Sequence, residues 1–253
     1  MGVAMGDHEG RVTAPDRRRL LGGIAAAATM PAMLRAAPVT MTGERLFVGT
    51  ALRSNRLALS FERFEQPLPK ITLTNGAHQV SLDTLVGKAR IVTLWAEWCV
   101  PCLVEARDFA ALQRRFAGPT FEIVAVLTAS AQKLDFAAAR ARLTQARVDG
   151  LPLLVEPDGG RRLMLGLSPS PSGQGGSLPC TLLVDSRGRI RGRSRGMLTA
   201  MRASQASAMV RSGTPLSEAG KQAMLASDLG TLWNSPSGEA LVSALRDGIL
   251  DKL

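Results

Sequence analysis

The sequence predicts an α/β layer sandwich, and three stretches carry that expectation. Ile91-Val92-Thr93-Leu94 is a short apolar, β-branched run, the pattern of a buried strand. Leu103 to Phe116 follows with apolar residues at helical spacing, namely Leu103, Ala106, Ala110 and Phe116. Phe121 to Leu127 reads as a further buried strand. Strands alternating with helices along a chain argue for a layered α/β architecture.

The other elements are taken in chain order. Asp16-Arg17-Arg18-Arg19-Leu20-Leu21, an alanine-rich run from Gly22 to Leu34 and Arg35-Ala36-Ala37-Pro38 form the n-region, h-region and small-residue end of an export signal. Paired arginines followed by x-Leu-Leu resemble the twin-arginine type, with an ordinary secretion signal or an uncleaved anchor as the other readings. Residues 1–37 are therefore expected to be a signal peptide and 38–66 a lead, with Leu57 to Phe64 as an edge strand. Ile71 to Leu73 and Gln79 to Ser81 flank Asn75-Gly76, a hairpin signal. Ala131 to Val148 is helical by composition, and Leu153 to Glu156 is a short strand before the turn Pro157-Asp158-Gly159-Gly160.

Ser168 to Ser177 is a Pro/Gly/Ser segment leading into Leu178-Pro179, read either as a plain surface loop or as the border of a substrate groove. Residues 197–232 are expected to add helices, beginning at Thr214-Pro215, that pack on the domain or dock a partner. Ser235-Pro236 opens a closing helix over 236–250. Arg187, Arg189, Arg191, Arg193 and Arg195 alternate along a strand, so periodicity puts them on one face or a solvent edge, with Ile190 toward the core. Two readings stand for them, protection of an edge strand and contact with an acidic partner.

The chemistry concentrates in Trp95-Ala96-Glu97-Trp98-Cys99-Val100-Pro101-Cys102, at the junction of the Ile91 strand and the Leu103 helix. Pro101 suits the first helical turn, where its missing N–H costs nothing. Free backbone N–H groups and the positive end of the helix dipole favour a thiolate at Cys99. Cys102, one turn on, can resolve a mixed disulfide, so the pair makes a reversible dithiol/disulfide couple.

Trp98-Cys99-Val100-Pro101-Cys102 resembles the TlpA/ResA-like branch of the thioredoxin superfamily. Leu82-Asp83-Thr84-Leu85-Val86-Gly87-Lys88, Glu105 and Leu178-Pro179-Cys180-Thr181-Leu182-Leu183-Val184-Asp185 support the likeness from Pro67 to Gly196, together with a helix after Trp233. The resemblance implies a thioredoxin-like three-layer sandwich with a mixed central sheet over 67–253, plus extra C-terminal helices. It implies a cis Pro179 that shapes a substrate groove, with Trp98, Val100, Pro101 and Leu178 beside it, and a proton-transfer role for Glu105 at Cys102. The other reading of Glu105 is a carboxylate on the helix surface near the positive dipole end. The implied activity is reduction of protein disulfides in the periplasm, recharged by a membrane electron relay of the DsbD or CcdA type, for cytochrome c or copper-site maturation. Neither a cofactor nor a resident metal is implied, and a monomer is expected. The direction of electron flow stays open. Thr93 stands where relatives carry a buried aspartate or asparagine, and Arg107 replaces a helix-kinking proline.

Cys180 is left over from the pair. It reads as a buried free cysteine or as the third sulfur of a copper-binding site with Cys99 and Cys102, which makes a soft-metal chaperone the alternative function. A peroxidase ranks last, because the stretch before Cys99 lacks Pro-x-x-x-Thr-x-x-Cys. The 45% hydrophobic content excludes disorder throughout. A net charge of +10 reads as a solvated arginine-rich surface or an attraction to acidic partners. Without a stacking-aromatic pattern or a recognised motif, nucleic acid is set aside. His8 and His78 have no ligand spacing.

Overall fold

The computed structural model describes residues 39–42, 45–48, 59–168, 176–196 and 231–252, whose strands form one ten-stranded sheet. The expected signal peptide over 1–37, most of the stretch before residue 59, residues 169–175 and all but the last two residues of the expected insertion over 197–232 lie outside the described residues. The strands are β1 (Val39–Thr42), β2 (Arg45–Val48), β3 (Leu59–Pro67), β4 (Thr72–Thr74), β5 (Gln79–Ser81), β6 (Ala89–Trp95), β7 (Phe121–Leu127), β8 (Leu153–Val155), β9 (Cys180–Val184) and β10 (Arg189–Arg195). The helices are α1 (Val100–Phe116), α2 (Phe136–Gln145), α3 (Arg162–Leu167) and α4 (Pro236–Arg246). Across the sheet the order is β1-β2-β3-β10-β9-β6-β7-β8-β4-β5. β6, β7 and β8 run parallel and the remaining pairings are antiparallel, so the sheet is mixed.

Strand periodicity divides the core into two layers. Ile91 and Trp95 of β6, Phe121, Ile123, Ala125 and Leu127 of β7 and Leu183 of β9 join the apolar faces of α1, α2 and α4. Val92 and Leu94, Val124 and Val126, and Cys180, Leu182 and Val184 face the opposite side, where Leu163 and Leu167 of α3 cover them. This is the thioredoxin-like three-layer sandwich expected from the sequence. Full burial of β6 along its whole length follows from its central place with helices on both faces.

Several local expectations change. β3 is not an edge strand, because β2 pairs with it on one side and β10 on the other. β10 is likewise internal, and its register shifts between Ile190 and Gly192. Edge protection is therefore not the role of its arginines. Arg193 is 6% exposed, and its guanidinium meets Glu62 and the Leu167 carbonyl and stacks 3.7 Å over the Phe64 ring. Arg191 pairs with Glu65 and Asp185.

Helix α2 begins at Phe136 rather than Ala131. The Asp135 carboxylate accepts the Ala138 N–H at 2.8 Å as N-cap, and Lys133 just before it has a left-handed φ of 51°. The closing helix starts where expected, with Ser235 capping the Gly238 N–H and Pro236 in the first turn, but regular α-helix stops at Arg246. Among the described residues no helix is long and apolar enough to cross a membrane.

Candidate active site

β6 delivers the chain into a tight turn, and α1 starts immediately after it. Cys99 is the N-cap residue of α1, with Val100 and Pro101 in the first turn. Its backbone N–H donates to the Ala96 carbonyl at 3.0 Å, and its own carbonyl accepts from Cys102 and Leu103. Cys99 and Cys102 are joined by a disulfide with Cα atoms 5.3 Å apart. Both are buried, Cys99 at 4% exposure, against Trp95, Ala96 and Leu103.

The turn is held from the side by the loop after β7. The Trp98 indole N–H donates to the Ala129 carbonyl at 3.0 Å, although half of the Trp98 side is open to solvent. Glu97 is buried and its Oε1 accepts the Gln132 N–H at 2.9 Å. Thr128 N–H donates to the Trp95 carbonyl at 3.0 Å, and the Thr128 hydroxyl donates to the buried Glu156 carboxylate at 2.7 Å. Glu156 also accepts from the Arg162 backbone N–H at the start of α3. The sequence reading missed Glu97, Thr128 and Glu156. Their loop roles have no periodic signal, and a carboxylate is buried only when its partners come from elsewhere in the chain.

Trp95 packs in the core, and the Leu178–Pro179 peptide is cis, as the resemblance implies. Leu178 is partly buried at the boundary of the two core layers. Val100, expected beside the substrate, is 4% exposed, the same as Cys99 next to it. Glu105 is fully buried, which overturns its reading as a surface carboxylate on the helix. Its Oε1 accepts from the Trp233 indole N–H at 3.1 Å, and Trp233 packs on Phe109 and Phe61. Thr93 lies opposite Thr181 in the sheet, both buried, so hydroxyls occupy that central position. Arg107 donates to the Ala146 carbonyl at 2.8 Å, and α1 runs through it without interruption.

The three-sulfur site does not form. β9 alternation turns Cys180 into the α3-side layer with Leu182 and Val184, whereas Cys99 and Cys102 belong to the α1-side layer. Among the described residues no group of three potential metal ligands comes together. Burial pushes the Cys180 thiol up to about 11, opposed by a side-chain hydrogen bond with Ser168. It is a neutral core thiol, the bland reading of the two.

Residues 64–193, more than half of the chain, match the AhpC/TSA family. The chain belongs to the AhpC/TSA family. As a member it is a thiol-disulfide oxidoreductase of the thioredoxin superfamily, in agreement with the resemblance seen in its sequence. It is also similar to three solved structures. A thiol:disulfide interchange protein from Chlorobium tepidum TLS is 22% identical, with 53% of this chain and 88% of that chain covered and a TM-score of 0.41. A secreted thiol-disulfide isomerase from Corynebacterium glutamicum is 16% identical, covering 68% and 95%, with a TM-score of 0.42. StoA from Bacillus subtilis is 16% identical, covering 57% and 99%, with a TM-score of 0.40.

Proposed function

We propose that Cys99 and Cys102 are the redox couple of this oxidoreductase, and that the chain reduces protein disulfides outside the cytoplasm. The observation that carries the reading is the Cys99–Cys102 bond at the N-terminus of α1 within an AhpC/TSA domain. Two thiols at this position can share one redox reaction. The Cys99 thiolate attacks a substrate disulfide, forms a Cys99–substrate bond and expels one substrate thiolate, which takes up a proton. Cys102 then loses its proton and attacks Cys99 Sγ, releasing the second substrate thiol and leaving the protein oxidised by two electrons. The helix dipole and the N–H groups of the first turn favour the attacking thiolate.

Glu105, three residues beyond Cys102 on α1, is the proton acceptor or donor for Cys102 in this reading. Trp98, Pro101, Leu178 and Pro179 border the place where an extended substrate segment lies. Charged partners with acidic surfaces are favoured by the net charge of +10. Cytochrome c or copper-site precursors are the substrates that the TlpA/ResA-like resemblance suggests, with a membrane electron relay of the DsbD or CcdA type restoring the dithiol and a monomer acting in the periplasm.

The test is a titration of the Cys99/Cys102 potential in dithiothreitol or glutathione buffers, with Cys99→Ser as control. A value near about −270 mV supports a reductase and one near about −120 mV makes the protein a disulfide-forming oxidant. Absence of a reversible couple overturns the reading.

A further inference from the structure

Next to the Cys99 turn lies a cavity of about 330 Å3 that the exchange steps above do not use. One wall is the Trp98 indole, held by its hydrogen bond to the Ala129 carbonyl although 50% of the residue is exposed. Met164 of α3, Gly159 and Gly176 are also in its lining. Both glycines are required by close backbone approach. A Cβ on Gly159, whose φ is +67°, would run into the Ser130 carbonyl oxygen, and a Cβ on Gly176 would run into the Met164 side chain. The cavity is thus a built feature with fixed walls.

Its lining is apolar or neutral except for Arg161, which is exposed at the rim. Among the described residues no carboxylate pairs with the Arg161 guanidinium, whereas its neighbour Arg162 is tied to Glu156. A cation without a carboxylate partner among the described residues, over a neutral pocket lined by Trp98, the residue before the attacking cysteine, is complementary to a carboxylate on the substrate.

We propose that this cavity is the specificity subsite of the exchange reaction, and that it takes an acidic side chain lying within a few residues of the substrate cysteine. The occupant is an extended, acidic protein segment. An extended chain advances about 3.3 Å per residue, so a side chain two or three positions from a cysteine bound at Cys99 reaches past Trp98. Apolar stem atoms of a glutamate lie along Trp98 and Met164 while its carboxylate meets Arg161, whose planar fork suits two oxygens. Arg161 is a binding residue in this scheme and takes no part in electron transfer. The inference rests on Cys99 and Cys102 being the couple.

The experiment uses blocked eight-residue peptides whose single cysteine is in a mixed disulfide with 5-thio-2-nitrobenzoate, recharging the protein with dithiothreitol. Attack by Cys99 forms a Cys99–peptide or Cys99–nitrobenzoate bond, and resolution by Cys102 releases both thiols, one of them coloured. Glu, Gln or Lys is placed in turn at each of three positions on either side of the cysteine. For at least one position, kcat/KM is expected to favour Glu over Lys by roughly fivefold at low salt, with Gln between, the size of one favourable exposed ion pair. Arg161→Glu reverses that order, Arg161→Gln flattens it, and added salt shrinks it. Arg114→Glu, at the far end of α1, keeps it. A preference untouched by Arg161→Glu, or equally lost in Arg114→Glu, overturns the subsite. No turnover of any peptide, Gln included, overturns the dithiol couple itself and the subsite with it.

Discussion

Trp233 ties the C-terminal segment to the helix that carries the dithiol, and its removal separates packing from hydrogen bonding. It is fully buried, with its ring 4.8 Å from Phe109 and 5.8 Å from Phe61 and its indole N–H 3.1 Å from Glu105. Truncating a buried tryptophan to alanine costs about 3–5 kcal/mol through lost contacts and the cavity left behind. Taking the indole donor from a buried carboxylate adds about 1–2 kcal/mol. Trp233→Ala should therefore lose about 5 kcal/mol, a large share of the stability of an ordinary domain. Trp233→Phe keeps most of the apolar volume and loses mainly the N–H to Glu105, so about 1–2 kcal/mol is expected.

Urea unfolding followed by circular dichroism resolves the two. With a slope of about 2 kcal/mol per molar, the midpoint falls by about 2.5 M for Trp233→Ala and by less than 1 M for Trp233→Phe. Equal losses for the two variants would mean that the aromatic packing around Phe109 and Phe61 contributes nothing and would refute the assignment of Trp233 as an anchor. An unchanged midpoint in Trp233→Phe would remove the hydrogen bond to Glu105 from the account.

Three further outcomes follow from particular residues. Arg193→Leu should cost about 2 kcal/mol in the same assay, and Arg193→Lys should not rescue it, because a single ammonium cannot serve both Glu62 and the Leu167 carbonyl; the figure is below that of a fully buried pair since Glu62 is 39% exposed on its side chain. The Cys180 thiol is raised from 9.0 to about 11, so the folded state holds its proton longer than the unfolded chain; its contribution is fully present below pH 9 and falls away between pH 9 and 11, by roughly 2–3 kcal/mol, as read from unfolding midpoints. Cys180→Ala should show a flatter decline over that window, and a decline as steep as the parent's would rule out the thiol as its source. Hydrogen peroxide should not be consumed with dithiothreitol as reductant, because buried Val92 and Ala96 stand where the Pro-x-x-x-Thr-x-x-Cys pattern places its proline and threonine; turnover at rates comparable to disulfide exchange would reverse that ranking.

Short-range pattern carried much of this protein. The buried strand at Ile91–Leu94, the helix beginning beside Cys99, the Asn75-Gly76 hairpin and the Ser235-Pro236 helix start depend on residues within one turn of each other, and each is formed where the pattern puts it. The start of α2 also has a local cause: Asp135 caps the helix and sets its start at Phe136, a signal that helical composition does not contain.

The site divides in the same way. Adjacent spacing puts Cys99 and Cys102 within bonding reach on one helical turn, so sequence was sufficient for that pair. It could not say that Cys180 turns away, since that depends on which face of β9 meets which layer. The alternating arginines gave a period but no neighbours, and whether β10 was an edge depended on β3 and its hairpin joining the sheet from the N-terminal side. Glu105 could be located on α1 from its spacing, yet its burial comes from Trp233, 128 residues further on. Likewise the clamp at Glu97 and the cavity beside Trp98 arise where loops from β7, β8 and the start of α3 converge. The amino-acid sequence by itself determined the period of each element and the reach of residues one turn apart, because those are set by backbone geometry. Which charges are buried, which thiol faces which layer and where a pocket opens were decided only by the tertiary structure, because burial is a property of surfaces brought together from distant parts of the chain.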